Sequence, residues 1–348
     1  MRAAIVHAMG DLRIEDVALP EVPAGSIRVR VGACGVCGTD LRIYRKGDHR
    51  AQYPVIPGHE IAGVVDAVAP GVTAVREGDR VCVAPGHGCG ACRMCRQGQP
   101  NVCTQPFPSL GYKVNGGFAE YLAVPENILR LGFVNPIPAS LTFQQAAMSE
   151  ILACCLNAQR NSPVREGDRV LIIGAGPAGI LHALLAKRRG AARVMMTQRT
   201  RARLDTAQGR FAGIDRVVPS LEEDLDRAVA EETGGEGADV VFVCAPAREA
   251  QEAACRLVGP RGRVNFFGGL PRDARTVTLD ANTLHYKEFF IAGASSSLPE
   301  DNREALRLLA ERAIDPDKLV TGAFPLADAH AAFQAAESRR GIKFVIAP

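Results

Sequence analysis

The sequence predicts a two-part α/β protein, in which a β-rich amino-terminal half precedes a doubly wound half built on a parallel sheet. With 348 residues, the chain exceeds the size at which one hydrophobic core keeps growing, and its 47% hydrophobic content suffices for two cores. Up to about residue 83, short β-branched runs are broken by glycine and proline. From about residue 165, apolar strands alternate with helical stretches.

The overall charge of the chain indicates which classes of binding partner to expect. A formal net charge of +3 is small beside 41 basic and 38 acidic side chains, so we expect small molecules as partners, and neither nucleic acid nor a membrane surface. The first residues lack the long apolar stretch of an export signal, and no segment is long enough to span a bilayer, which favours a cytoplasmic protein. Eleven cysteines, four of them in one short cluster, favour metal binding over disulfide bonds.

The amino-terminal half contains closely spaced strand signals. Three β-branched runs bounded by turn residues predict strands of a β-barrel or a sandwich: Ile27–Val31, Ile61–Val68 and Arg80–Val83. Farther along, Gly111–Val124 predicts a hairpin that turns around Asn115.

The segment Tyr53–Glu60 ends with an imidazole and a carboxylate side by side, His59 and Glu60, which predicts a metal site. Cys37 is the third candidate ligand, because flanking glycines leave its sulfur accessible. A thiolate beside these two groups suits zinc better than calcium or magnesium, and a catalytic zinc usually has three protein ligands and an open position. Taken alone, His59 in a turn and Cys37 in a core would explain the same residues.

Glu150 is a fourth candidate ligand. It opens the apolar helical segment Glu150–Ala158, where a buried carboxylate is costly unless it is paired or bound to metal. The alternative is an acid that caps the start of the helix.

Four cysteines form the most specific local pattern in the sequence. Cys89, Cys92 and Cys95 recur at every third position, and Cys103 follows after seven intervening residues. Four thiolates can close a tetrahedral shell around zinc and leave no open position, which is typical of a structural site. An iron–sulfur cluster is the main alternative, but the ferredoxin pattern places its fourth cysteine sooner and follows it with proline, whereas Thr104 follows Cys103.

A glycine-rich turn begins the second half. It lies between a predicted buried strand, Asp168–Ile173, and a predicted helix, Ile180–Lys187. The first glycine allows a tight turn, the second lets the backbone approach a pyrophosphate, and the third allows close helix packing, so the turn predicts a dinucleotide site. Its defining residues are Gly174, Gly176, Pro177 and Gly179.

The residues after the next strand bear on the choice of coenzyme. The strand Arg193–Thr197 ends where an acid would bind the adenosine ribose hydroxyls of NAD, but Gln198 and Arg199 follow instead. With Arg201 and Arg203 also nearby, this position suits a ribose 2′-phosphate and favours NADP over NAD. A solvated basic surface is the alternative.

The alternating pattern continues beyond this point. Strands are predicted at Ala238–Cys244 and Gly262–Gly268. After about residue 290, the sequence predicts the helix Arg303–Arg312, a further helix that ends at Ser338, and the strand Lys343–Ile346.

With these motifs, nearly the whole chain resembles the zinc-containing medium-chain dehydrogenase/reductase (alcohol dehydrogenase) family, and in pattern it is most similar to sorbitol (iditol) and threonine dehydrogenases. The resemblance implies a GroES-like β-barrel catalytic domain over residues 1–152 and a Rossmann coenzyme-binding domain over residues 153–289. Residues 290–348 would return to the catalytic domain.

The resemblance also implies roles for the candidate ligands. Cys37 and the pair His59 and Glu60 match the ligands of a catalytic zinc, and Glu150 matches a carboxylate that can reach the same metal in polyol-type members. The four clustered cysteines match a structural-zinc lobe, and the glycines match the coenzyme loop.

Thr39 matches the hydroxyl that hydrogen-bonds the substrate oxygen in this family. Arg42 is a departure, because many polyol and threonine members have a histidine there that is thought to pass the proton outward. An arginine cannot act as a base at neutral pH.

Together, these observations predict a zinc-dependent, NAD(P)-linked dehydrogenase that oxidises a secondary alcohol of a polyol or sugar-like substrate to a ketone. In this prediction zinc acidifies the substrate hydroxyl, Thr39 accepts its proton, and hydride passes to the nicotinamide. Glu60 is a further candidate for accepting the proton. Threonine, a cyclitol and a sugar phosphate are the alternative substrates, and a zinc- and dinucleotide-binding redox sensor is the non-enzymatic alternative. We expect a homo-oligomer, either a tetramer or a dimer.

Overall fold

The computed structural model describes residues 1–86, 88–105 and 109–348, which fold as two compact units. The outer unit contains Met1–Ala153 together with Ser297–Pro348, and the middle unit contains Cys154–Ser296. None of the helices in the described ranges is both long and apolar enough to cross a membrane.

The outer unit is built mainly on strands. An antiparallel pair is formed by β1 (Arg2–Ala8) and β2 (Asp11–Asp16). Within the described residues, seven other strands form one sheet: β3 (Ile27–Val36), β4 (Glu60–Val68), β5 (Arg80–Val83), β6 (Tyr121–Val124), β7 (Val134–Pro136), β14 (Val320–Pro325) and β15 (Lys343–Ala347). The order is β14-β15-β3-β4-β5-β7, and β6 pairs with β3.

The central position of β3 follows from its sequence. Ile27, Val29 and Val31 alternate along the strand and are buried, as expected for a strand with one face on the core. On one side β3 pairs antiparallel with β4, in a register that sets Gly35 opposite Glu60. On the other side it pairs with β15, so strands from both parts of the outer unit share one sheet.

The helices of the outer unit include short ones of four or five residues, and one helix, α5 (Ser149–Asn161), continues past Ala153 into the middle unit. They are α1 (Gly38–Lys46), α2 (Arg93–Arg96), α3 (Glu126–Arg130), α4 (Phe143–Ala146), α5 (Ser149–Asn161), α11 (Pro299–Ala310) and α12 (Ala329–Ser338). Helix α11 begins at Pro299 rather than at Arg303 as predicted. Proline suits the first turn of a helix, and the Asp301 carboxylate accepts a hydrogen bond of 2.8 Å from the Leu298 amide.

The predicted hairpin over Gly111–Val124 is wrong, because only its last residues form a strand, β6. The segment before β6 packs instead on the chain that precedes His59. The Gly117 amide donates to the carbonyl of Gly58 at 2.8 Å. A Cβ on Gly116 would lie 2.1 Å from the same oxygen, so only glycine permits this approach.

The middle unit is a six-stranded sheet in which all pairs are parallel. Its strands are β8 (Arg169–Ile173), β9 (Arg193–Gln198), β10 (Arg216–Pro219), β11 (Ala238–Val243), β12 (Val258–Phe266) and β13 (Phe290–Gly293). Its helices are α6 (Pro177–Arg188), α7 (Arg201–Arg210), α8 (Leu225–Thr233), α9 (Arg248–Leu257) and α10 (Ala281–Lys287). The predicted parallel sheet is confirmed.

The strand order places a ligand crevice in this sheet. The order is β10-β9-β8-β11-β12-β13, so the chain reverses its direction of travel across the sheet between β8 and β11. Ligands of open α/β sheets bind at such a switch point, beyond the carboxyl ends of the strands. The glycine-rich turn follows β8 and therefore lies at this point.

Candidate functional site

The fold brings together Cys37, His59 and Glu60. Their ligand atoms all lie within 4.8 Å of one another. Cys37 follows β3, His59 precedes β4, and Glu60 begins β4. Because β3 and β4 are antiparallel neighbours with Gly35 opposite Glu60, the end of one strand meets the start of the other.

Asp40 fixes the backbone on both sides of this group. Its carboxylate is fully buried and accepts hydrogen bonds from the Cys37 amide at 2.8 Å and from the Gly58 amide at 3.1 Å. One carboxylate therefore ties together the two segments that carry the thiol and the imidazole. Sequence reasoning missed Asp40, although an acid at the third position of a helix, where it can bond back to the residue before the helix, is a recognisable signal.

The surroundings of His59 favour a cation. Its Nδ1 lies 3.3 Å from an Asp40 oxygen, but it is not aligned for a hydrogen bond and has no partner within the described residues. Burial disfavours the imidazolium, yet Tyr112, Asp40 and Cys37 outweigh burial and raise the pKa of His59 well above its usual value. The same negative surroundings would attract a metal ion in place of the proton.

Glu60 is paired with a lysine from the far end of the chain. Lys343, in β15, is buried and donates from Nζ to Oε1 of Glu60. Burial opposes the charge of Lys343, but Glu60 and Cys37 outweigh it, so the pKa of this lysine is raised. Sequence reasoning missed Lys343, although a lysine in an apolar strand signals a partner, since burying an unpaired charge is costly.

These residues fit a zinc ion. The second oxygen of Glu60 and the Nδ1 of His59 are buried side-chain atoms with no hydrogen-bond partner in the part of the chain that the structure describes. A thiolate, an imidazole and a carboxylate form a donor set that suits zinc. With three protein ligands, such a site would keep a position open for substrate.

Glu150 is not part of the group formed by Cys37, His59 and Glu60. It lies in the first turn of α5 and is buried. Its assignment as a zinc ligand therefore stays a prediction.

Thr39 lies in the first turn of α1, two residues after Cys37. Its Oγ1 accepts a hydrogen bond of 3.4 Å from Nη2 of Arg42, one turn farther along the helix. The arginine that stands in place of the family histidine thus contacts the predicted substrate-binding hydroxyl directly.

The four clustered cysteines form a second group. The sulfur atoms of Cys89, Cys92, Cys95 and Cys103 all lie within 4.8 Å of one another, with 4.0 Å between Cys89 and Cys95 and 3.7 Å between Cys92 and Cys103. All four are free thiols and partly exposed. This arrangement fits a closed shell of four thiolates around zinc.

Backbone amides prepare part of this cluster for metal. Hydrogen bonds from the amides of Cys95 and Thr104 lower the pKa of Cys92 to about 5. Burial and the neighbouring thiols Cys92 and Cys103 raise the pKa of Cys95 to about 11. A bound cation would reverse the effect of the neighbouring thiols, because metal binding deprotonates them.

The glycine-rich turn has the geometry of a phosphate-binding loop. Gly174 has a φ of +119°, which favours glycine, and Gly176 caps α6, which begins at Pro177. A Cβ on Gly179 would lie 1.8 Å from the Gly174 carbonyl oxygen, so the helix packs against the loop only with glycine there. The amino terminus of α6 thus offers free amides and a positive dipole end to a phosphate.

The residues after β9 reach the same loop. The Gln198 side-chain oxygen accepts a hydrogen bond of 3.1 Å from the Ala175 amide. Nη1 of Arg203 lies 3.4 Å from the position that a Cβ on Gly176 would take. The predicted coenzyme residues Gln198 and Arg203 therefore meet the turn that would hold the pyrophosphate.

Two family profiles match the chain: the alcohol dehydrogenase GroES-like domain over residues 23–132, and the zinc-binding dehydrogenase domain over residues 177–311. The sorbitol dehydrogenase of Halalkalibacterium halodurans is 30% identical over 343 residues, which are 98% of this chain and 97% of that protein. The chain belongs to the zinc-containing medium-chain dehydrogenases. The predicted family and its class of enzyme, an alcohol oxidoreductase, are confirmed.

Two solved structures share the fold of this medium-chain dehydrogenase over its full length. A zinc-binding dehydrogenase from Sinorhizobium meliloti, bound to NADP, superposes with a TM-score of 0.88 at 28% identity, and the match covers 100% of this chain and 99% of the other. An alcohol dehydrogenase from E. coli in complex with NADH gives 0.90 at 29% identity, with 100% and 99% covered. The predicted pairing of a GroES-like domain with a Rossmann-type sheet is confirmed.

Proposed function

We propose that this protein is a zinc-dependent dehydrogenase that oxidises a secondary alcohol of a polyol to a ketone with NADP. The observation that carries the proposal is the group of Cys37, His59 and Glu60, whose ligand atoms lie within 4.8 Å of one another. The similarity to a sorbitol dehydrogenase supports a polyol as the substrate class.

Cys37, His59 and Glu60 would hold the catalytic metal, and zinc bound there would supply a Lewis acid that lowers the pKa of the substrate hydroxyl. Asp40 holds in place the two segments that carry Cys37 and His59, and Lys343 holds the Glu60 carboxylate. The ligands therefore need little rearrangement to bind the metal. The four clustered cysteines would hold a second zinc with a structural role.

Thr39 receives the proton of the substrate hydroxyl. The bond from Arg42 uses one lone pair of Oγ1, which leaves the other lone pair for the substrate and the hydroxyl hydrogen for onward transfer. The guanidinium of Arg42 stays protonated, so the proton leaves Thr39 by a route other than Arg42. A nicotinamide coenzyme would supply the hydride acceptor.

The residues after β9 support NADP as the coenzyme. Gln198 stands where a carboxylate would bind the ribose hydroxyls of NAD, and it contacts the glycine-rich turn. Arg199 and Arg203 can make charge-assisted bonds to a ribose 2′-phosphate, worth about ten- to 100-fold in specificity.

An exposed apolar edge supports a homo-oligomer, a dimer or a tetramer. Strand β13 is the edge of the middle-unit sheet, and Phe290 and Ile291 on it are 58% and 37% exposed. An apolar edge strand is a template for pairing with another chain. Sedimentation velocity of the native protein and of Phe290→Lys tests this, since the variant should dissociate.

A substrate panel tests the proposed activity. The purified zinc-loaded protein is assayed with polyols, cyclitols, sugar phosphates and threonine, each with NADP and with NAD. We expect reduction of NADP by a polyol-type alcohol. Binding of zinc and NADP without oxidation of any alcohol would favour a redox sensor instead.

The coenzyme assignment has its own test. Gln198→Asp combined with Arg199→Leu should shift the ratio of kcat/KM for NADP over NAD by about ten- to 100-fold towards NAD. Arg201→Leu is the matched control, because Arg201 is exposed and paired with Glu222 at 3.2 Å. A native enzyme that strongly preferred NAD would show the arginines to be a solvated surface.

A further inference from the structure

Two arginines share one buried carboxylate at the end of α1. Asp48 accepts hydrogen bonds of 2.8 Å from Nε of Arg42 and 2.8 Å from Nη2 of Arg50. Burial favours the neutral acid, but the two guanidinium groups outweigh it and hold the pKa of Asp48 below its usual value. Two permanent positive charges therefore face one negative charge, which leaves the cluster cationic.

Arg42 contacts the predicted catalytic residue Thr39, and Arg50 is one aromatic ring away from the candidate zinc ligand His59. Arg42 donates to Oγ1 of Thr39 at 3.4 Å. The guanidinium of Arg50 lies over the ring of Tyr112, 4.7 Å from its centroid, and that ring lies 5.5 Å from the ring of His59. The ring of Tyr112 thus lies between the Arg50 guanidinium and His59, and Arg42 contacts Thr39, which is two residues after Cys37.

The two arginines are exposed to solvent, whereas the carboxylate that they share is buried. The Arg42 and Arg50 side chains are 38% and 45% exposed, whereas the Asp48 side chain is 2% exposed. The carboxylate lies beneath the two guanidinium groups and holds them in place before any ligand arrives. Such preorganisation lowers the entropic cost of binding, and guanidinium groups match the oxygen atoms of phosphate and carboxylate.

We propose that Arg42 and Arg50 bind an anionic group of the substrate, and that the preferred substrate is a polyol carrying a phosphate ester. The proposal rests on the proposed function, because it names the substrate class of the same site. A neutral polyol carries no group that could neutralise the surplus positive charge beside Thr39. A carboxylate shares the chemistry that these arginines recognise, so the experiment separates it from phosphate.

The test compares three substrates with the same carbon skeleton: sorbitol, sorbitol 6-phosphate and gluconate. For the native holoenzyme we expect kcat/KM to be highest for the phosphate ester, by at least about tenfold. In Arg50→Gln and Arg42→Gln, the ratio of kcat/KM for the phosphate ester over sorbitol should fall by about ten- to 100-fold. Arg45→Gln is the matched control, because Arg45 lies on the same helix but pairs with Glu337 at 2.6 Å, and it should keep the native ratio.

Arg50→Lys guards against loss of structure, because it keeps the charge while removing the guanidinium fork. Its ratio of kcat/KM for the phosphate ester over sorbitol should lie between the ratios of the native protein and Arg50→Gln. Its thermal midpoint should be unchanged. Equal losses on sorbitol and its phosphate in the glutamine variants would overturn the proposal, and so would a native preference for sorbitol or gluconate. In both cases the proposed function stands, whereas a native enzyme that oxidises no polyol would overturn both.

Discussion

The two candidate metal-binding groups of this dehydrogenase are assembled in different ways. The four-cysteine group comes from the single stretch Cys89–Cys103, and its thiols contact backbone amides and one another. The group of Cys37, His59 and Glu60 joins two segments of the chain, and it depends on Lys343, which lies 283 positions from Glu60.

Their surroundings differ as well. The clustered thiols are partly exposed, whereas His59 and Glu60 are buried and Asp40 and Lys343 enclose them with charge. A metal-binding group whose ligands are neighbours in the sequence can stabilise the fold around it. A group that needs the finished fold can be tuned for chemistry, because distant residues set its charge and geometry.

The largest expected effect comes from Cys37→Ser. Loss of this ligand should lower turnover at least about 1000-fold, because the Lewis acid is lost, and should reduce zinc from two ions to one per chain. The thermal midpoint should change little. Cys82→Ser is the control, since the buried Cys82 thiol donates to the Ala146 carbonyl at 3.2 Å and a serine hydroxyl can do the same. Full turnover in Cys37→Ser would remove this residue from the site.

Thr39→Val comes next. It replaces the hydroxyl with a group of similar shape, so turnover should fall by about 100-fold or more while coenzyme affinity stays within about twofold. Thr39→Ser should restore most of the rate. Steady-state kinetics and coenzyme titration separate the two effects, and a valine variant with the native rate would assign the proton to Glu60 or a water molecule.

Asp40→Asn tests whether the group needs its supporting carboxylate. An amide has one acceptor oxygen for the two backbone amides of Cys37 and Gly58, so zinc affinity should fall by about ten- to 100-fold. Competition with a chelator measures this. Asp66→Asn is the control, because Asp66 pairs with Arg28 at 2.6 Å on the same sheet, and its zinc affinity should stay native. An unchanged zinc affinity in Asp40→Asn would show that the group of Cys37, His59 and Glu60 does not need this supporting carboxylate.

Cys95→Ser should have the smallest effect on chemistry. We expect one zinc ion fewer per chain and a thermal midpoint lower by about 5 °C or more, with turnover of the folded protein within about twofold of native. Metal analysis and thermal unfolding check both. A variant that lost turnover but kept its midpoint would reverse the roles assigned to the two groups.

The sequence allowed prediction of features that depend on neighbouring residues. The spacing of the four cysteines and the placement of Gly174, Gly176 and Gly179 between a strand and a helix are local, and the structure brings each set together. The coenzyme residue Gln198 also follows its strand directly, and it contacts the predicted loop.

Features that depend on distant contacts could not be predicted. Nothing near Lys343 in the sequence indicates that its partner is Glu60. The stacking of Arg50 on Tyr112 likewise joins residues far apart in the sequence, in the region where Gly116 and Gly117 pack on the segment before His59. The failed hairpin prediction has the same cause, because those glycines serve a tertiary contact rather than a turn.

The discontinuous outer unit has a consequence for synthesis on the ribosome. All six strands of the middle unit have been made before Ser297 is added, but β14 and β15 of the outer unit are made afterwards. Domains generally fold as units while the chain emerges, so the coenzyme-binding sheet can form first. A nascent chain that has not yet reached Lys343 leaves the Glu60 carboxylate without its counter-charge, and oxidation chemistry is therefore the last capability that the growing polypeptide acquires.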